Sequence, residues 1–137
     1  MEQFENFKKY MQELKDLGLP EDQYAVSGSG PLAVRGIRDV HDLDIIVKPE
    51  LWEYLCRQYN KENDRLIKIG NIDIYREWKP YFRDVDALIS DADLIDEIRF
   101  IRFDDILKWK KAMNKPKDRE DVRLIEEYTK KQNKGEK

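Results

Sequence analysis

The chain has 137 residues, 40% hydrophobic and 40% charged, with 26 basic and 29 acidic side chains and a formal net charge of −3. That length suits one compact core and is too short for two independent ones. The near-balance of sign argues against a disordered polyelectrolyte, and the mild acidity argues against binding duplex DNA through bulk charge.

The apolar runs are interrupted or only a few residues long, too short to span a bilayer, so no membrane partner is expected. Met1-Glu2-Gln3-Phe4-Glu5-Asn6 lacks the basic-then-apolar order of a secretory signal, and a lone Cys56 fits a reducing compartment. A cytoplasmic location is the expectation. One cysteine also excludes an internal disulfide and a cysteine-rich metal site.

Residues 2–17 set Phe4, Phe7, Met11 and Leu14 at helical spacing among Glu and Lys, which predicts an amphipathic helix. Gly18 and Pro20 stop it. Tyr24-Ala25-Val26-Ser27 predicts a short strand running into the turn Gly28-Ser29-Gly30-Pro31. Leu32-Ala33-Val34 then begins a short helix that Gly36 closes. Arg38-Asp39-Val40-His41 reads as loop, and residues 42–47 as a strand ended by Lys48-Pro49. Pro49 opens a helix with Leu51, Trp52, Leu55 and Tyr59 inward. Leu66-Ile67-Lys68-Ile69 and Ile72-Asp73-Ile74-Tyr75 flank Gly70-Asn71, a two-residue hairpin turn.

Residues 79–95 predict an irregular start and a helix over 84–91, followed by a strand over 98–101. Asp104 or Asp105 is positioned to cap a helix carrying Ile106, Leu107, Trp109 and Met113. Asn114-Lys115-Pro116 breaks it, and residues 118–128 form a last helix with Val122, Leu124 and Ile125 inward. Residues 130–137 carry no apolar side chain and predict a flexible tail on a single domain over 1–129. The order predicts an α/β (α+β) fold, a small mixed sheet flanked by helices.

Three carboxylates stand where strand chemistry disfavours them. Asp42 and Asp44 bracket Leu43 at the head of an apolar strand, and residues two apart share a face. Asp73 repeats the anomaly between Ile72 and Ile74, with Asp86 as the rival third acid. Like charges held that close need shared protons or a divalent cation between them. Three acids from two strands make an oxygen-rich site suited to Mg2+. With two ions, Asp42 and Asp44 would bridge both, and Asp73 would hold the ion on the acceptor side and take the hydroxyl proton. The bland alternative is a set of solvent-facing surface acids.

Gly28-Ser29-Gly30, between strand and helix start, offers exposed amides and a helix dipole as a phosphate cradle, although it matches neither a Walker loop nor a dinucleotide fingerprint. Ser29 adds a hydroxyl donor, and Arg35 and Arg38 stand ready to neutralise phosphate charge. His41 reads as a loop residue. Trp52, Trp78 and Trp109 read as core or rim, with Trp78 the most exposed.

Val26-Ser27-Gly28-Ser29-Gly30, then Gly36-Ile37-Arg38, then His41-Asp42-Leu43-Asp44-Ile45-Ile46-Val47 resemble the nucleotidyltransferase superfamily with the DNA polymerase β-like fold. The minimal nucleotidyltransferases and their toxin–antitoxin relatives are the most similar. Phe103-Asp104-Asp105-Ile106-Leu107-Lys108-Trp109-Lys110 followed by Lys117-Asp118-Arg119-Glu120-Asp121 is similar to that superfamily's Lys-Asp segment. The resemblance implies transfer of a nucleoside monophosphate from a nucleoside triphosphate to a hydroxyl acceptor, dependent on Mg2+, with release of pyrophosphate. It assigns nucleotide contacts to Gly28, Ser29, Arg38, Lys110 and Lys117, and structural roles to Asp118 and Asp121. The acceptor is a small molecule, a protein or an RNA, gripped by this domain, by a second copy or by a partner protein. A catalytically inert binding or regulatory module, one half of a toxin–antitoxin pair, is the alternative, and a two-metal nuclease a third.

Overall fold

The computed structural model describes residues 4–77 and 83–135. Among these residues, seven strands form one mixed sheet in the order β3-β4-β5-β2-β1-β7-β6. The strands are β1 (Tyr24–Ser27), β2 (Leu43–Val47), β3 (Lys61–Asn63), β4 (Leu66–Ile69), β5 (Ile72–Tyr75), β6 (Asp93–Ile95) and β7 (Ile98–Phe100). The helices are α1 (Glu5–Asp16), α2 (Gly30–Ala33), α3 (Pro49–Gln58), α4 (Val85–Ser90), α5 (Phe103–Met113) and α6 (Pro116–Gly135). β2 pairs with β5 and β1 with β7 in parallel, while the remaining neighbours are antiparallel.

Period-two alternation divides the strands between two cores. Leu43, Ile45, Val47, Ile72 and Ile74 point to one face. There they pack with Phe7, Met11 and Leu14 of α1 and Leu51, Trp52 and Leu55 of α3. Ala25 and Ile46 point to the other face and pack with Leu88 and Ile89 of α4, Ile106 of α5 and Ile125 of α6. This second core is smaller because the same strands continue beyond it into Ser27, Asp44 and Asp73, which no apolar helix face can cover. The helices therefore cover one end of that face and leave the polar end to the site.

Several elements differ from their sequence-based expectations. The strand expected over 42–47 begins at Leu43, and α2 starts earlier, at Gly30. Neither Asp104 nor Asp105 caps α5: the capping position is Arg102, without a side-chain bond, and both acids sit in the first turn. Asp105 is buried and instead accepts a hydrogen bond from Arg83 (2.7 Å). The last helix begins at Pro116, whose fixed φ suits a first helical position, and runs to Gly135. Residues 130–135, expected as tail, are thus helical, since local hydrogen bonds and good helix formers such as Lys and Gln extend a helix without a core. The expectations for Trp78 and the irregular stretch from 79 fall on residues outside those described. Among the described residues, no helix is long and apolar enough to cross a membrane.

Candidate functional site

The parallel register of β2 and β5 makes Asp44 and Asp73 direct neighbours, and antiparallel β1 sets Ser27 on the other side of Asp44. Asp42, two residues ahead of Asp44, completes the group. One carboxylate oxygen from each of Asp42, Asp44 and Asp73 lies within 4.8 Å of the others. The structure thus brings together the three acids singled out in the sequence. Asp86, on α4, is exposed and outside this cluster, as is the exposed His41.

The cluster carries more negative charge than its surroundings tolerate. Burial, then the charges of Asp42 and Asp73, push the Asp44 carboxyl up to about 7, against the opposing pull of Lys110 and Lys117. Burial and Asp42, through its charge and a hydrogen bond, push Asp73 up to about 6, with Lys68 pulling the other way. Lys68 Nζ stands 3.8 Å from Asp73 Oδ1. Tyr75, next on the same face, is pushed to about 12 by burial and by all three acids. A hard divalent cation would relieve this excess, and carboxylate oxygens are among the donors such an ion takes. The residues present fit Mg2+ on that ground.

Gly28 adopts φ +61°, and its Cα lies so close to Asp44 that a Cβ there would overlap Asp44 Oδ2. The glycine turn therefore rests directly against the acid. α2 behind it has only four residues, so few peptide dipoles add up, and the dipole part of the expected phosphate cradle is lost. Ser29 Oγ accepts a hydrogen bond from Arg38 Nη2, which leaves the hydroxyl hydrogen for another acceptor.

Arg38 and Lys110 are anchored by one carboxylate. Arg38 Nε and Nη2 donate to the two oxygens of Asp121 at 2.7 and 2.8 Å, and Nη1 donates to the Asp39 carbonyl at 2.8 Å. The buried Lys110 Nζ lies 2.8 Å from Asp121 and 3.9 Å from Asp118. Burial alone would raise the Asp121 carboxyl, but the hydrogen bonds and charges of Arg38 and Lys110 hold it below the usual range. Asp118 also accepts the Lys115 N–H (3.2 Å) ahead of the first turn of α6. Lys117, exposed in that first turn, acts on Asp44 through its charge. Arg35, by contrast, is turned to Asp93 (2.8 Å) and to the face of Phe103 (4.2 Å), away from the acids.

A cleft of about 350 Å³ opens beside Asp44, lined by Arg65, Leu66 and Tyr75 of the hairpin and by Trp109 and Met113 of α5. Trp109 thus lines the cleft rim while packing against the second core, whereas Trp52 lies within the first. Sequence reasoning missed Tyr75, although strand alternation two residues past Asp73 is a sufficient signal. Arg65 and Met113 carry no comparable signal. No protein-family model, no curated protein and no solved structure matches this chain.

Proposed function

We propose that this protein is a Mg2+-dependent nucleotidyltransferase with a DNA polymerase β-like fold, moving a nucleoside monophosphate from a nucleoside triphosphate onto a hydroxyl acceptor. The observation that carries the reading is the convergence of Asp44 on β2, Asp73 on the neighbouring β5 and Asp42 just ahead of β2. These three residues would hold the metal, as a pair of ions. When bound, Mg2+ supplies charge neutralisation at the phosphates and a more acidic acceptor hydroxyl.

This chain's own groups do the rest. The acceptor oxygen forms a bond to the α-phosphorus, the bond from that phosphorus to pyrophosphate breaks, and the hydroxyl proton passes to Asp73. The Ser29 hydroxyl and Lys117 contact phosphate oxygens, and the glycine turn lets backbone approach them. Arg38 and Lys110 contribute positive potential from fixed positions set by Asp121. The cleft between the hairpin and α5 receives the substrate, and catalysis is chiefly positioning and charge stabilisation.

The test is calorimetric titration with ATP, GTP, CTP and UTP, each with and without Mg2+, followed by incubation of labelled nucleotide with a cell lysate. Metal-dependent binding of at least one nucleotide and label transferred to a hydroxyl-bearing small molecule, protein or RNA support the reading. Absence of binding to all four would sink it and leave an inert scaffold.

A further inference from the structure

The acids do not hold themselves in place, because two of their flanking segments are gripped by α1. Glu13 accepts two hydrogen bonds from Asn71, one from its backbone N–H (3.1 Å) and one from its side-chain amide (2.9 Å). The Asn71 carbonyl in turn accepts the N–H of Leu43 (2.9 Å), the residue between Asp42 and Asp44. At the start of the same helix, Asp39 accepts the N–H groups of Asn6 (3.1 Å) and Phe7 (2.9 Å), and Asn6 Nδ2 donates to the Val40 carbonyl (3.0 Å). One rigid helix thus fixes the chain before Asp42 and the hairpin turn beside it.

The hairpin turn is shaped for this grip. Gly70, at φ +58°, would carry a Cβ only 2.7 Å from Glu13 Oε1, so a side chain there would push the carboxylate away. Glu13 is also out of place on an amphipathic helix whose charged residues otherwise face solvent: it is half-buried and bonded 58 residues away in sequence. A surface acid of α1 with only a solubility role would have neither feature.

We infer that Glu13 is a positioning residue for the metal-binding acids: through Asn71 it sets the backbone at Leu43 and hence the separation of the Asp42 and Asp44 carboxylates. This rests on the metal-site reading above. Groups that orient metal ligands without touching the ion typically carry 10–100-fold of metal affinity.

The experiment uses the full chain with Mn2+ as the probe, in wild type, Glu13→Ala, Glu13→Gln and, as a control for lost stability, Leu17→Ala. Free Mn2+ is measured by electron paramagnetic resonance under conditions where every variant is folded, and amide exchange at Leu43 is followed in parallel. Glu13→Ala is expected to raise the Mn2+ Kd roughly 10-fold and to speed Leu43 exchange relative to Ile45. Glu13→Gln, which keeps one acceptor oxygen, falls between it and wild type, and Leu17→Ala leaves the Kd unchanged. Wild-type affinity and unaltered Leu43 exchange in Glu13→Ala would overturn the inference, as would an equal loss of affinity in Leu17→Ala. A wild-type protein that binds no Mn2+ would overturn the metal-site reading and the role of Glu13 toward it. Leu43 exchange would then still show whether Glu13 fixes that backbone.

Discussion

On one face of the sheet, Leu43, Ile45, Ile72 and Ile74 meet α1 and α3. On the other, Asp44 and Tyr75 of the same two strands meet a cleft, with Asp73 beside Asp44. The first arrangement gains free energy from burial and has no unmet electrostatic demand. The second holds like charges together and is destabilised by them until a counter-charge arrives. Alternation with period two lets one short segment do both, so stability and binding are written on alternate residues of β2 and β5.

The sharpest way to break the comparison is at Asp44. Asp44→Asn is expected to lower the proposed metal-dependent turnover roughly 100- to 1,000-fold, on the scale set by losing a transition-state contact. Its circular dichroism should match wild type. Full activity in that variant, read as label transferred, would remove Asp44 from the site. The opposite face responds in stability instead. Ile74→Ala should cost about 2–5 kcal/mol in urea unfolding, the usual range for a buried Ile truncation. Its divalent-ion stoichiometry should stay unchanged.

Proton linkage gives the next effect. The Asp44 and Asp73 carboxyls stand at about 7 and about 6 in the folded chain, against 3.8 when unperturbed. The folded state therefore binds more protons than the unfolded state over that interval. Metal-free stability should fall as pH rises from about 4 to about 7 and level off above. Unfolding midpoints from pH 4 to 8 check this. Asp44→Asn and added Mg2+ should each flatten the curve, and a rising metal-free curve would contradict the sign. The smallest effect belongs to Lys117. Lys117→Ala should weaken Mg2+–nucleotide binding about 3-fold, the scale of one exposed charge contact, and less at high salt.

Much of this was legible because its signals are local. The Asp42-Leu43-Asp44 spacing and the Ile72-Asp73-Ile74 interruption announce the acids, and Gly70-Asn71 announces the hairpin that brings them together. β3 and β6 were missed because three residues each, at the sheet edges, carry no periodicity. The capping role expected for Asp104 or Asp105 failed because a tertiary partner, Arg83, claims Asp105. The bond from Arg38 to Asp121 had no local signature either, since the two are 83 residues apart. Short-range chemistry shows in sequence, and long-range pairing waits for the fold.

Asp121 has a consequence for the acids it never touches. Lys110 acts on Asp44 through its charge, and Arg38 bonds Ser29 in the turn that rests against that acid; a tethered cation is a formidable competitor for any dissolved one. By holding both through hydrogen bonds and ion pairing, Asp121 keeps these two side chains from pairing directly with the acids. In Asp121→Asn the released cations would turn inward, and divalent ions would have to displace them: weaker Mn2+ uptake in a folded variant is the mark of that self-inhibition.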